Sequence, residues 1–456
     1  MTVRLDPRLR RIAGRVARRL GLRPPLPQRV RHNGRLAFVG PMPPAATGIA
    51  SYDRSVLDGL RRIGFLEGHA TDVLWPTRES HLRGIGAYEL GIYQLGNNAE
   101  FHRWIYGMAI ASPGLTVIHD LAMDGLVWGL QAANDPLGAE AAREALGQRR
   151  PVTDPDAAMH EPLRVVWCAA VARASRGIVV HSAFCKRYLE DAGVRTPIFT
   201  VPHPVVEDEG SMRRAETRAR ELRAPLEARG ARTIVVAPGD VNDAKCLPSV
   251  LDAVATLPRE VHLGVVGRRM PSLDLDAAIA DRGVGDRVTV RYDVPDDDFR
   301  AWLVAADVGV DLRFPHRGEV SGSLAMAMVA GIPTIVSATG TYLDLPDDAV
   351  VGIAPGPADP PELAARIREL HDDPARRARI GDAARAHMAA LRDSDATAHG
   401  YEEAILATRE LVMDPTRAVR ALWAACLVDI GIDEALAEQG YGVSYVRALE
   451  SFVRTP

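Results

Sequence analysis

Between residues 35 and 205, short runs of consecutive apolar residues alternate with longer stretches whose apolar positions recur at helical spacing. The short runs are Leu36–Gly40, Leu90–Leu95, Leu115–Ile118, Gly177–Val180 and Ile198–Val201. Each leads into a polar turn and then a helical stretch. Strands that alternate with helices form a parallel sheet covered on both faces. Residues 206–230, rich in Arg and Glu, read as a charged helical join. A second alternating series then follows, with apolar runs at 233–236, 261–266, 288–290, 308–312, 334–336 and 350–353. Helical spacing covers 360–412, and a further helical tail runs from Pro415 to about Phe452. The pattern predicts an α/β chain with one parallel domain over 31–205, a second over 206–395, and C-terminal helices over 396–456 that pack back on the body.

Two such domains in tandem face each other across a cleft. Open α/β sheets bind ligands beyond the carboxyl ends of their strands. The loops 41–48, 96–98, 119–120, 239–245 and 313–323 all follow strands and are the expected cleft lining.

The first thirty residues differ from this pattern. Leu5, Leu9, Ile12, Val16 and Leu20 lie at helical spacing with Arg between them, and Pro24-Pro25-Leu26-Pro27 ends the segment. Residues 1–35 hold eleven Arg and one Asp, a charge of +10, so the other 421 residues carry −14 within the net −4. Residues 3–20 therefore read as a basic amphipathic helix able to rest on an anionic membrane surface. A solvated arm is the competing reading. The acidic body argues against a nucleic-acid partner. No apolar run reaches the length of a membrane span and no secretory signal precedes the first domain. Cys168, Cys185, Cys246 and Cys426 are widely spaced, which supports neither a zinc site nor a disulfide framework. The expected location is cytoplasmic, at the inner face of the membrane.

The most informative stretch runs from Arg317 to Val336: a polar loop, an apolar helix and a Gly-Ile-Pro turn into a buried strand. A helix start carries unpaired N–H groups and about half a positive charge. Ser321, Gly322 and Ser323 keep that end open to a phosphate. Glu319, just before it, can accept hydrogen bonds from sugar hydroxyls. Together they point to a sugar carried on a diphosphate. Lysine is scarce, with only Lys186 and Lys245 among 55 basic residues.

Pro43-Pro44, Gly48-Ile-Ala-Ser-Tyr52, Gln94-Leu-Gly-Asn-Asn98, His119-Asp120, His181-Ser182, Pro238 to Lys245, and Gly318-Glu-Val-Ser-Gly-Ser323 occur in this order. The ordered set resembles the family 4 retaining glycosyltransferases over roughly residues 35–400. The resemblance implies the GT-B fold, two facing Rossmann-like domains with a deep cleft between them. It also implies transfer of a sugar from a nucleoside-diphosphate sugar, with anomeric configuration kept and no tightly bound cofactor. By the same resemblance Lys245 binds the donor diphosphate, with Asn242 beside it and Arg268, Arg313 or Arg317 as the second charge. His119 approaches the donor sugar, Glu319 holds it, and Gly48 lets backbone come close. Asn97, Asn98 and Asp120 line the acceptor side; Asx turns and helix capping compete for them. The family's usual second Glu corresponds to Met326, which leaves the ribose contact unassigned.

Asp154-Pro-Asp156, Asp274-Leu-Asp276 and Asp296-Asp-Asp298 match a metal-holding pattern of other sugar transferases, but they lie at helix starts or in a Pro-rich loop. No metal is expected. Same-face attack by an acceptor hydroxyl is the mechanism implied, with electrostatic stabilisation of the leaving diphosphate. A nucleotide-sugar epimerase of the same fold and an inactive binding subunit are the alternatives.

Overall fold

The computed structural model describes residues 33–45, 47–77, 84–147, 162–204, 209–391 and 395–411. The basic segment 3–20, the Pro-rich linker, the 154–156 acidic pair and the tail beyond 411 lie outside them.

Two six-stranded parallel sheets form the body. The first holds β1 (Leu36–Val39), β2 (Thr71–Leu74), β3 (Leu90–Leu95), β4 (Leu115–Ile118), β5 (Gly177–Val180) and β6 (Ile198–Thr200), in the order β2-β1-β3-β4-β5-β6. The second holds β7 (Thr233–Pro238), β8 (Val261–Gly267), β9 (Val288–Tyr292), β10 (Val308–Asp311), β11 (Thr334–Ser337) and β12 (Val351–Ile353), in the order β12-β11-β10-β7-β8-β9. The helices of the first lobe are α1 (Gly48–Arg62), α2 (Phe65–Gly68), α3 (Ala99–Ala111), α4 (Asp124–Ala132), α5 (Pro136–Leu146), α6 (Ala169–Ala174) and α7 (Ala183–Asp191). Those that follow are α8 (Glu209–Glu227), α9 (Leu247–Thr256), α10 (Leu275–Arg282), α11 (Asp296–Ala305), α12 (Gly322–Ala330), α13 (Pro360–Asp372), α14 (Pro374–Leu391) and α15 (Ala396–Glu410).

Both faces of each sheet are covered, so central strands are apolar throughout. In β1, Leu36 and Phe38 enter one core while Ala37 and Val39 enter the other. All six residues of β3 are buried, whereas the edge strands β2 and β9 are half exposed. α15 returns to the first lobe. Its Tyr401, Ala404 and Ile405 fill the core between α1 and β1, and Arg409 pairs with Glu89 at 2.8 Å.

In each sheet the connection reverses direction once, between β1 and β3 in the first and between β7 and β10 in the second. A crevice opens at the carboxyl ends of strands flanking such a switch point. The two crevices face each other, and the lobes touch there. The Ala122 N–H donates to the Arg317 carbonyl at 2.9 Å, and the Arg317 guanidinium lies 3.2 Å from Asp124. The Asp344 carboxylate of the second lobe accepts from the Phe184 N–H at 2.6 Å and from Arg187 at 2.7 Å. It thus caps the positive end of α7 from the opposite lobe.

Gly318 sits in this contact at φ +82°, and a Cβ there would come within 2.6 Å of Leu121. Gly318→Ala combines a left-handed backbone with overlap against the other lobe. Small-angle scattering is expected to show a larger radius of gyration with unchanged far-ultraviolet dichroism; an unchanged radius would mean that this contact does not set the lobe spacing.

Candidate active site

The second switch point is built around a buried carboxylate. Asp311 ends β10 and is fully buried. Its Oδ1 accepts from Lys245 Nζ at 2.9 Å and from the Tyr342 hydroxyl at 2.9 Å, with Arg313 Nη1 at 3.4 Å. Its Oδ2 accepts from the hydroxyls of Ser321 at 2.8 Å and Ser323 at 2.9 Å. Burial works against ionisation, but the Lys245 and Arg313 charges and these hydrogen bonds outweigh it and hold the carboxyl well below its usual range.

Lys245 comes from the turn after β7. Its ammonium also donates to the Pro238 carbonyl at 2.9 Å and to Ser323 Oγ at 3.2 Å. Burial, with Arg313 alongside, pushes it down to about 8 against the pull of Asp311. Gly239 opens this turn at φ +98°; a Cβ there would sit 2.8 Å from Ser323 Oγ and 3.1 Å from Lys245 Nζ. Lys245 and the mouth of α12 therefore belong to one hydrogen-bonded network.

Arg313 links this network to Glu319, its Nε lying 3.0 Å from Oε1. The Arg317 N–H donates to Oε2 at 2.8 Å. Burial would raise this carboxyl, but the Arg313 charge and the backbone donors hold it below the usual value. His316 Nδ1 accepts from the Gly318 N–H at 2.8 Å. Its Nε2 then carries the hydrogen and faces Thr341 Oγ1 at 3.2 Å, and that hydroxyl donates to the Glu319 carbonyl at 2.7 Å. The loop carrying Glu319 is thus held at both its side chain and its backbone.

Ser321 is the N-cap of α12, accepting from the Leu324 N–H at 3.2 Å. The N–H groups of Gly322 and Ser323 precede the first bond of the helix and have no intrahelical acceptor. A Cβ at Gly322 would meet nothing within 4 Å, so this mouth is open. Asn242 Oδ1 is buried with no partner among the described residues. Arg268 is engaged by Asp240 at 2.6 Å. Lys245, Arg268, Arg313 and Arg317 thus each face a carboxylate, and the site holds its charges in near balance.

His119 and Asp120 follow β4, and Asp120 lies near enough to Glu319 and Arg317 to feel their charges. Asp120 Oδ2 accepts from the Asn97 N–H at 2.9 Å. Burial and the neighbouring Glu319 push Asp120 up to about 7. The Asn97 side chain caps α4, accepting from the Gly125 N–H at 2.7 Å and donating to Asp124 at 3.1 Å. Asn98 caps α3, accepting from the Glu100 N–H at 2.8 Å. The capping reading describes both asparagines here. Gly48 begins α1 with open space before it. Met326 packs against the core around Trp302.

Asp311, Tyr342, His316 and Gln94 were not singled out from the sequence. Asp311 had a visible signal, a charged residue inside the apolar run Val308-Gly-Val-Asp-Leu312. Among the described residues no three His, Cys, Asp or Glu side chains are placed to hold a metal. Asp274 caps α10, and Asp297 and Asp298 meet Arg214 and Arg218. No helix of the described residues is long and apolar enough to cross a membrane.

Residues 232–373, which include the whole Asp311 network, match the family described as Glycosyl transferases group 1. The match supports a glycosyltransferase, and the paired sheets have the GT-B fold. It is 28% identical over 271 residues to a 2-deoxystreptamine glucosyltransferase of Streptomyces kanamyceticus, covering 56% of this chain and 67% of that one. It is 32% identical over 200 residues to a D-inositol 3-phosphate glycosyltransferase of Xylanimonas cellulosilytica, covering 42% and 45%. The chain therefore spans less than half the length of that second relative. HepE of Anabaena, solved in complex with UDP-glucose, shares the fold with a TM-score of 0.60 at 15% identity, covering 82% of this chain and 99% of that one. These relatives place the GT-B glycosyltransferase among hexosyltransferases.

The raised Asp120 of this glycosyltransferase has a measurable consequence. A carboxyl whose folded pKa lies above its unfolded value stabilises the fold at pH below the unfolded value and loses that contribution as pH rises through the folded one. The window here runs from the ordinary 3.8 to about 7. Asp120→Asn keeps the acceptor for Asn97 and removes the titration. Urea unfolding across this range is expected to show a shallower loss of stability in the variant, with the gap over the wild type widest above pH 7.

Proposed function

We propose that this protein is a retaining glycosyltransferase of family 4 type, moving a hexose from a nucleoside-diphosphate sugar to a hydroxyl acceptor by same-face displacement, without a metal. The observation that carries this reading is the single network of Lys245, Asp311, Ser321 and Ser323 at the mouth of α12. The diphosphate sits on the unpaired N–H groups of Gly322 and Ser323, with Lys245 and Arg313 behind them as fixed positive charge. Arg268 lies further out on Asp240 and contributes less. Glu319 accepts from hydroxyls of the sugar, and His119 contacts the sugar from the other lobe. Gly48 and its open surroundings leave room beside the diphosphate. The acceptor enters from the side of Asp120, with Asn97 and Asn98 shaping that wall through the helices they cap.

Hydrogen bonds to a charged group contribute roughly 1.5–3 kcal/mol each. Two or three at the leaving diphosphate give a large share of a typical enzymatic rate gain. HepE was solved with UDP-glucose, which makes uridine the first base to test. A thermal-shift screen of uridine, guanosine, adenosine and thymidine diphosphates and their hexoses is expected to single out one base that raises the melting temperature. With that donor, Glu319→Gln is expected to cut turnover by a factor of roughly 100 or more with the fold intact. No shift with any nucleotide, or full turnover in the variant, would sink the reading.

The basic amphipathic stretch 3–20 favours an acceptor at an anionic membrane surface. Deleting residues 1–30 is expected to abolish pelleting with vesicles containing phosphatidylglycerol; unchanged pelleting would reject that role.

A further inference from the structure

Beneath His119 lies a chain of buried polar groups that the proposed reaction does not use. His181 Nδ1 lies 3.0 Å from the Val201 carbonyl and its Nε2 lies 3.3 Å from His119 Nδ1. His119 Nε2 lies 3.0 Å from the Gln94 carboxamide. The other end of that amide lies 3.4 Å from the Tyr401 hydroxyl, itself 2.8 Å from the Tyr52 hydroxyl. Tyr401 belongs to α15, so the returning helix reaches the site through this chain.

The direction of every hydrogen in the chain follows from its one fixed end. A carbonyl oxygen only accepts, so His181 Nδ1 carries a hydrogen. Burial keeps His181 neutral, pushing it down to about 3, so its Nε2 is bare. His119 Nδ1 must then donate to it. As placed, the Gln94 amide oxygen Oε1 faces His119, so Nε2 would need a hydrogen as well and His119 would be an imidazolium. Burial and the neighbouring His181 and His203 hold His119 well below the usual histidine range, which excludes that state at neutral pH. A half-turn of the amide removes the conflict. Its NH2 then donates to His119 Nε2, and its oxygen accepts from the Tyr401 hydroxyl, which accepts in turn from Tyr52. Amide orientation is settled by such a network, and here only one orientation leaves every member neutral and paired.

We propose that His181 and Gln94 are positioning residues that lock His119 in the tautomer with hydrogen on Nδ1 and none on Nε2, which fixes the ring that the proposed reaction sets against the transferred sugar. The hydrogen bond at one ring nitrogen decides what the other can do. Nε2 of His119 is then an acceptor, taken by Gln94, and cannot donate. The role of His119 in transfer rests on the reading above; its tautomer does not.

Long-range proton–nitrogen correlation spectra of protein labelled with 15N-histidine test this without substrate. At neutral pH the His119 signals, assigned by their loss in His119→Gln, are expected to show a protonated Nδ1 and a bare Nε2. A hydrogen on Nε2, alone or together with Nδ1, would overturn the proposal. His181→Phe removes the acceptor and is expected to move His119 toward the other tautomer; an unmoved pattern would remove His181 from the role. With the donor found by the nucleotide screen, the same variant is expected to lower kcat roughly 10–100-fold with KM little changed, as where a partner fixes a histidine's tautomer elsewhere. Full activity in His119→Ala would instead overturn the placing of His119 in the reaction, an outcome the spectra do not touch.

Discussion

The second lobe depends on one buried charge. Asp311 has no access to solvent, and an unpaired carboxylate there would cost several kcal/mol. It is ionised because five side chains from four separate segments converge on it: Lys245 from the turn after β7, Arg313 from the loop after β10, Ser321 and Ser323 from the mouth of α12, and Tyr342 from the turn before β12. Any of these segments that moves away leaves a charge partly unpaired. The interaction that completes the fold at this switch point therefore also fixes the positions of Lys245, the helix mouth and, through Arg313, Glu319. A site held this way needs little reorganisation when charge develops beside it, the condition under which fixed dipoles and charges stabilise a leaving group.

The same balance separates the tasks of the basic residues. Arg313 bridges Asp311 and Glu319, Arg268 answers Asp240, and Arg317 reaches across the lobes to Asp124. Among the described residues, the donors with no intrahelical acceptor at the helix mouth are backbone groups, which carry no rotamer entropy and cannot turn away. Basic side chains set the potential around the mouth, and the orphan N–H groups set its geometry.

Much of this architecture was legible in the sequence. Strands buried on both faces are apolar at nearly every position, so β1, β3, β4, β5 and β10 stood out as runs. β2 did not: Thr71-Asp-Val-Leu74 is an edge strand whose side chains are half exposed, and neither a run nor a clean alternation marks it. The mouth of α12 was readable because Ser-Gly-Ser before an apolar helix has a local physical meaning. Asp311 and Gln94 were harder. A single polar residue inside a strand pattern has no local partner, and its meaning rests on residues 66 and 307 positions away, Lys245 for the first and Tyr401 for the second. The two asparagines after β3 carried equal signals for lining a cleft and for capping a helix, and the contacts they make are caps.

The last constraint lies in Arg317, where the two lobes and the Glu319 carboxylate meet. Its N–H donates to Glu319 Oε2, its carbonyl accepts from the Ala122 N–H of the first lobe, and its guanidinium pairs with Asp124. One residue thus carries an intralobe and two interlobe interactions through adjacent atoms. Turning its peptide units to open the lobes would break the Ala122 bond and shift the N–H that orients Glu319. Asp124 is also bound by Asn97, whose own N–H holds Asp120. Lobe closure, the set of Glu319 and the placement of Asp120 are therefore one mechanical unit. Under the proposed reading, a donor sugar held by Glu319 acts on the contact between the lobes through this unit.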